Sequence, residues 1–149
     1  MVAPIPDDSG WLPEGVHETT LDEIRESFGS FRSTDRRPML FSKLQEYLGE
    51  VARWSIASAA YVDGSFVSTK ASPGDVDLVL CVREEFLVRQ ASWTPTEVNL
   101  VSRGFVKRNY EIDLFPRYGE AECRDGAASM FVHRKPPEEG RKGVLVVRL

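Results

Sequence analysis

A Gly-Ser pair closes one apolar run and an Asp-x-Asp pair opens the next, and this constrains the chain more than any other feature. The first run is Ile56 to Val62, followed by Asp63-Gly64-Ser65-Phe66. The second, Val76 to Val82, is entered through Asp75-Val76-Asp77-Leu78. Nine residues lie between Ser65 and Asp75, too many for a tight hairpin. Both runs have the length and composition of strands. Alternate residues of a strand point the same way, so Asp75 and Asp77 are expected side by side, facing whatever the Gly-Ser turn holds. Two carboxylates that close are costly unless a cation or a proton lies between them. Magnesium with a nucleoside triphosphate is the usual answer to such a geometry.

The neighbouring sequence supplies a frame for these two strands. Residues 1–18, rich in Pro, Gly and Asp, read as an irregular arm, and residues 19–53 as N-terminal helices. Thr20-Leu21-Asp22-Glu23 is a capping-box pattern, with Leu21, Ile24 and Phe28 on one face and Gly29 as a stop. A second helix is expected from Thr34 or Asp35, because Met39, Leu40, Leu44, Tyr47, Leu48 and Val51 recur at helical spacing. Pro38 falls in its first turn, where proline is tolerated.

Residues 54–149 then read as a mixed α/β core. Glu84 to Gln90 suggests a short helix. Thr94-Pro95-Thr96-Glu97 starts another, with Val98, Val101, Phe105 and Val106 as its buried stripe. Tyr110 to Phe115 reads as a third strand stopped by Pro116, Ala127 to Arg134 as a helix, and Gly143 to Leu149 as a last strand. One α+β domain is expected, with a small mixed sheet and helices mainly on one face.

Composition narrows the function classes. A formal charge of −4 argues against a dedicated nucleic-acid binder. No apolar run approaches the roughly 18 residues of a membrane span, and the N-terminus lacks the pattern of a secretory signal. The two cysteines, Cys81 and Cys123, have no metal-ligand spacing, and Cys81 in an apolar run reads as a buried reduced thiol. A cytoplasmic location follows from these readings. His17 and His133 have no ligand companions and read as structural or exposed.

A glycine admits a phosphate close to the backbone, and a serine hydroxyl donates to a phosphate oxygen. Gly64 and Ser65 are therefore the candidate phosphate cradle, with Lys70 in the same loop as a further phosphate contact. A third carboxylate is expected on a neighbouring strand. Asp113, flanked by Ile112 and Leu114, fits best, and Glu111 points the same way on an alternating strand. Arg103, Lys107 and Arg108 fall near one end of the helix before that strand, where a helix C-terminus favours positive charge.

Gly64-Ser65, the gap, Asp75-Val76-Asp77-Leu78 and the later Asp113 together resemble the signature of the DNA polymerase β-like nucleotidyltransferase superfamily. The resemblance covers residues 56–115. It implies that Asp75 and Asp77 bind two magnesium ions (or manganese), that Asp113 shares the catalytic one, and that Gly64 and Ser65 hold the β- and γ-phosphates of a nucleoside triphosphate. The implied activity is transfer of a nucleoside monophosphate to a hydroxyl of a protein, an RNA or a small molecule. Small antitoxin-type members carry Ala-Arg-Gly after the Gly-Ser-aromatic, where this chain has Val67-Ser68-Thr69-Lys70. Too few residues follow Asp113 for the helical domain of larger relatives. The acceptor site is therefore expected from the N-terminal helices, a second copy of the chain, or a partner protein. The competing expectation is a protein that keeps this fold without turnover and acts by binding, as an antitoxin or defence-system partner. Leu12-Pro13-Glu14-Gly15-Val16-His17 and the helix after it also resemble a group of short bacterial proteins carrying such a domain.

Overall fold

Two apolar strands of opposite direction, β2 (Ala57–Asp63) and β3 (Val76–Val82), form the centre of a five-stranded mixed sheet in the computed structural model. The structure describes residues 6, 10–30, 34–70, 72–119, 121–123 and 143–149. The sheet is completed by β1 (Gly15–Thr19), β4 (Ile112–Tyr118) and β5 (Gly143–Arg148), in the order β1-β5-β2-β3-β4. β2 runs antiparallel to β3 and β5, while β3–β4 and β1–β5 are parallel. Within the arm expected to be irregular, residues 15–19 are instead an edge strand. Gly15 pairs with Gly143 and Thr19 with Val147, so the two ends of the chain close the sheet together.

Thr20 caps α1 (Leu21–Phe28) by accepting from the Glu23 N–H at 3.2 Å. The Glu23 carboxylate does not complete the box; it accepts from the Thr19 hydroxyl at 2.8 Å. α2 (Arg36–Arg53) buries Leu40, Phe41, Leu44, Tyr47, Leu48 and Val51, and leaves Met39 partly exposed. The Tyr47 hydroxyl donates to the Leu100 carbonyl at 2.7 Å, tying α2 to the later helices.

Parallel pairing of β3 with β4 demands a crossover. α3 (Glu84–Val88), α4 (Pro95–Leu100) and α5 (Arg103–Tyr110) supply it. The expected single helix after Thr94 is two, because the chain leaves helical geometry between Leu100 and Arg103. The break resets the phase of the apolar stripe: Val98 is left half exposed, whereas Leu100 and Val106 are buried. Pro116 does not stop the third strand but lies inside β4, opposite Leu80. β4 is an edge strand, and an edge tolerates a residue without an N–H. The helix expected over 127–134, and His133 within it, lie outside the described residues.

The main core joins buried residues of α1 to α5 to one face of the sheet, including Ala60, Val62, Leu78, Leu80, Ile112, Leu114, Leu145 and Val147. A smaller cluster on the other face gathers Ala59, Val79, Cys81, Val144 and Val146 with Cys123. Cys81 is not a reduced thiol. It is bonded to Cys123, with 5.4 Å between the Cα atoms, inside the usual range for such a bridge. The bond pins residues 121–123, which are helical, against β3. No described helix is long and apolar enough to cross a membrane.

Candidate metal centre

The strand registers bring acidic residues from three parts of the sequence into one row. Asp63 at the end of β2 stands opposite Asp77 near the start of β3, and Asp77 opposite Asp113 near the start of β4. By alternation these three share the sheet face of Tyr61, Val79 and Phe115, away from the main core. Asp75 lies just before β3. One carboxylate oxygen from each of Asp75, Asp77 and Asp113 falls within 4.8 Å of the others. These are the three expected from the sequence, and the structure brings them together. Asp63, only 2% exposed, is a further acid that the sequence signature does not include. Its signal is the alternation Ala59, Tyr61, Asp63, which continues a strand into an acid of the same parity as Asp77.

Gly64 follows Asp63 with φ +86°, a conformation that L side chains rarely adopt. A Cβ there would run into the Asp77 carboxylate, whose Cγ lies 3.0 Å from the position. The glycine thus permits both the turn and the close approach of Asp77. Ser65 opens a short 3-10 turn, Ser65–Val67. Its carbonyl accepts from the Ser68 hydroxyl at 2.7 Å. Lys70 is exposed, and its backbone N–H donates to Ser68 Oγ at 3.2 Å. Lys70 makes no ion pair with a carboxylate among the described residues.

Two arginines that open α2 hold the loop in place. Arg37 is 1% exposed. Its guanidinium donates to the carbonyls of Phe66 at 2.6 Å, Ser68 at 2.7 Å, Lys70 at 3.2 Å and Phe28 at 3.2 Å. Arg36 holds the far end of the loop, donating to the Pro73 carbonyl at 2.9 Å and to the Gly74 carbonyl. Positive charge at a helix N-terminus is unfavourable, so these arginines owe their position to the loop. Arg36 also pairs with Glu111 at 2.9 Å, and Lys43 reaches the same carboxylate at 2.8 Å. Arg36 first, then Lys43, holds the Glu111 carboxyl down at about 2. Glu111 lies before β4 with φ 53°, capping α5, so strand alternation does not align it with Asp113. It joins α2 to the crossover instead of facing the other acids.

The cations beside the acidic cluster come from α5. Lys107 Nζ contacts Asp75, and Arg103 Nη2 lies 3.1 Å from Asp113 Oδ1. The Arg103 guanidinium also stacks over Phe115, 4.7 Å from the ring centre. The hydrogen bond to Asp75 raises the Lys107 pKa above its ordinary value, and the charges of Asp75, Asp113 and Asp77 add to this. Lys107 and Arg108 sit in the last turn of α5, as a helix dipole favours. Arg103 is its first residue, so the dipole does not account for it. His17 stands apart, with Nε2 2.7 Å from the Pro13 carbonyl. Two clefts, of about 430 and 450 Å³, lie elsewhere, beside Cys81 and beside Leu149.

Three carboxylates this close form a hard, all-oxygen donor set of the kind that holds magnesium or manganese. No curated protein and no solved structure matches the chain. A family profile does match residues 4–148, and by that match the chain belongs to the Family of unknown function (DUF6932).

Proposed function

We propose that this chain is a metal-dependent nucleotidyltransferase with a polymerase β-like fold. It transfers a nucleoside monophosphate from a nucleoside triphosphate to a hydroxyl on a protein, RNA or small-molecule acceptor. The observation that carries this reading is the convergence of Asp75, Asp77 and Asp113 within 4.8 Å, beside a glycine against which Asp77 packs. The donor set suits two magnesium ions, with manganese as a substitute, held by Asp75 and Asp77 and with Asp113 shared at one of them. Such ions neutralise phosphate charge and make a hydroxyl more acidic.

The chain's own residues supply positioning. Gly64 lets the backbone approach the β- and γ-phosphates, the Ser65 hydroxyl donates to a phosphate oxygen, and Lys70 adds charge from the loop. Asp113 accepts the acceptor hydroxyl's proton. The new bond joins that oxygen to the α-phosphorus, the bond from α-phosphorus to the bridging oxygen breaks, and pyrophosphate leaves. Arg36 and Arg37 hold the loop so that these groups need little rearrangement. A second copy or a partner protein completes the acceptor side. We place the reaction in the cytoplasm, where nucleoside triphosphates are plentiful; the Cys81–Cys123 bond is then an exception to the reduced state of most cytosolic thiols.

A second reading draws on the ion pairs of Lys107 with Asp75 and Arg103 with Asp113. A site already neutralised by protein cations suits a binding protein that keeps the fold without turnover. Incorporation of label from each of the four α-labelled triphosphates in a cell lysate separates the two. Labelling that disappears in the Asp75→Ala/Asp77→Ala double variant is expected. No label above that control, with magnesium or manganese, would favour the second reading.

A further inference from the structure

Arg103 and Lys107 lie four residues apart on α5, so they share one helix face. From that face each contacts a different carboxylate of the cluster, Asp113 and Asp75 respectively. Both cations are at least half exposed, whereas Asp75 and Asp113 are about a third exposed. Ion pairs this open to solvent are weak. A divalent ion on the same carboxylate oxygens competes directly with them. Arg103 opens its helix, against the dipole, and its planar guanidinium is stacked on Phe115. That stacking keeps the guanidinium beside the cluster when its carboxylate is taken, with a donor fork that matches phosphate oxygens.

We propose that Arg103 and Lys107 are exchangeable counter-ions. They neutralise Asp113 and Asp75 while the metal is absent, and when it binds they pass to the oxygens of a polyphosphate anion. The pair forms an anion subsite that exists only in the metal-loaded protein. This rests on the metal site of the proposed function and adds to it a residue pair and an order of binding.

The test uses the full chain, the variants Lys107→Met, Lys107→Gln and Arg103→Met, and two probes. Mn²⁺ binding is read from the free-ion electron paramagnetic resonance signal. Binding of inorganic tripolyphosphate is read by equilibrium dialysis, with and without saturating Mn²⁺. Each variant is expected to bind Mn²⁺ about threefold tighter, since a competing charge is gone. Each is expected to bind tripolyphosphate about tenfold weaker when loaded with Mn²⁺. Metal-free wild type should retain little of the anion. Variants that match wild type with both probes, or bind both more weakly, overturn the exchange while leaving the metal site standing. Wild type that takes up no Mn²⁺ overturns the exchange and the metal site together.

Discussion

Gly64 and Asp77 are in contact across the antiparallel pair of β2 and β3, and the contact exists only because position 64 has no side chain. Gly64→Ala adds a Cβ into the Asp77 carboxylate and forces an L residue to φ +86°. A backbone strain of that kind costs about 1–3 kcal/mol. The expected result in urea unfolding is a lower midpoint with an unchanged slope, accompanied by weaker Mn²⁺ binding. A variant that unfolds and binds metal like wild type would show that the approach of Asp77 is incidental.

Arg37 is the buried cation on which the loop depends. Arg37→Met removes the donors for the carbonyls of Phe66, Ser68, Lys70 and Phe28. Each buried carbonyl left without a donor costs about 1–3 kcal/mol, less where water enters. A total loss of at least about 3 kcal/mol is expected, and Arg37→Lys should recover only part of it, because an ammonium lacks the fork. Chemical denaturation of both variants measures this. A loss below about 1 kcal/mol in Arg37→Met would contradict the account.

Glu97 gives the fold an acid limit. Its carboxylate is buried, contacts Arg89 and accepts from the Thr94 N–H at 3.0 Å. The bond from Arg89, followed by that from Thr94, lowers its pKa from 4.5 to about 2. A depressed carboxylate stabilises the fold fully above its unfolded value and loses that contribution as pH falls through the folded value. Stability should therefore fall between pH 4.5 and about 2, and Glu97→Gln should make that limb shallower, leaving the part that Glu111 contributes. Thermal unfolding across this range decides the point; parallel curves for the two proteins would refute it.

The Cys81–Cys123 bond closes a loop with a sequence separation of 42. Loop-closure entropy for such a length corresponds to roughly 3–4 kcal/mol. Urea unfolding with and without a thiol reductant should give midpoints separated accordingly. Coincident midpoints would mean that the bond contributes nothing to the folded state.

The sequence was most legible where a signal is local. Thr20 before Leu21 and Thr94-Pro95 with Glu97 mark helix starts through bonds spanning three residues, and both caps are present. The acidic cluster was legible because Asp75, Asp77 and Asp113 interrupt or flank apolar strand runs, where a charge needs a partner. What was missed depends on distant chain. β1 has few apolar residues, and its edge is defined only by β5 at the far end. Cys81 finds Cys123 only after β4 turns back. Arg36 and Arg37 carry no local sign of their role, since nothing near them in sequence says that their partners are carbonyls of the loop ending at Gly74. Arg103 read as a C-terminal helix charge because the break between α4 and α5 has no glycine or proline to mark it.

The central claim is nucleotidyl transfer at Asp75, Asp77 and Asp113, and paired labelling tests it most directly. The protein is incubated with lysate, magnesium and a triphosphate labelled either at the α- or at the γ-phosphate. The account predicts that the α-label becomes fixed to an acceptor, that the γ-label leaves as pyrophosphate, and that Asp75→Ala/Asp77→Ala abolishes both. Transfer of the γ-label to the acceptor, or no transfer of either across the four nucleotides, would contradict it.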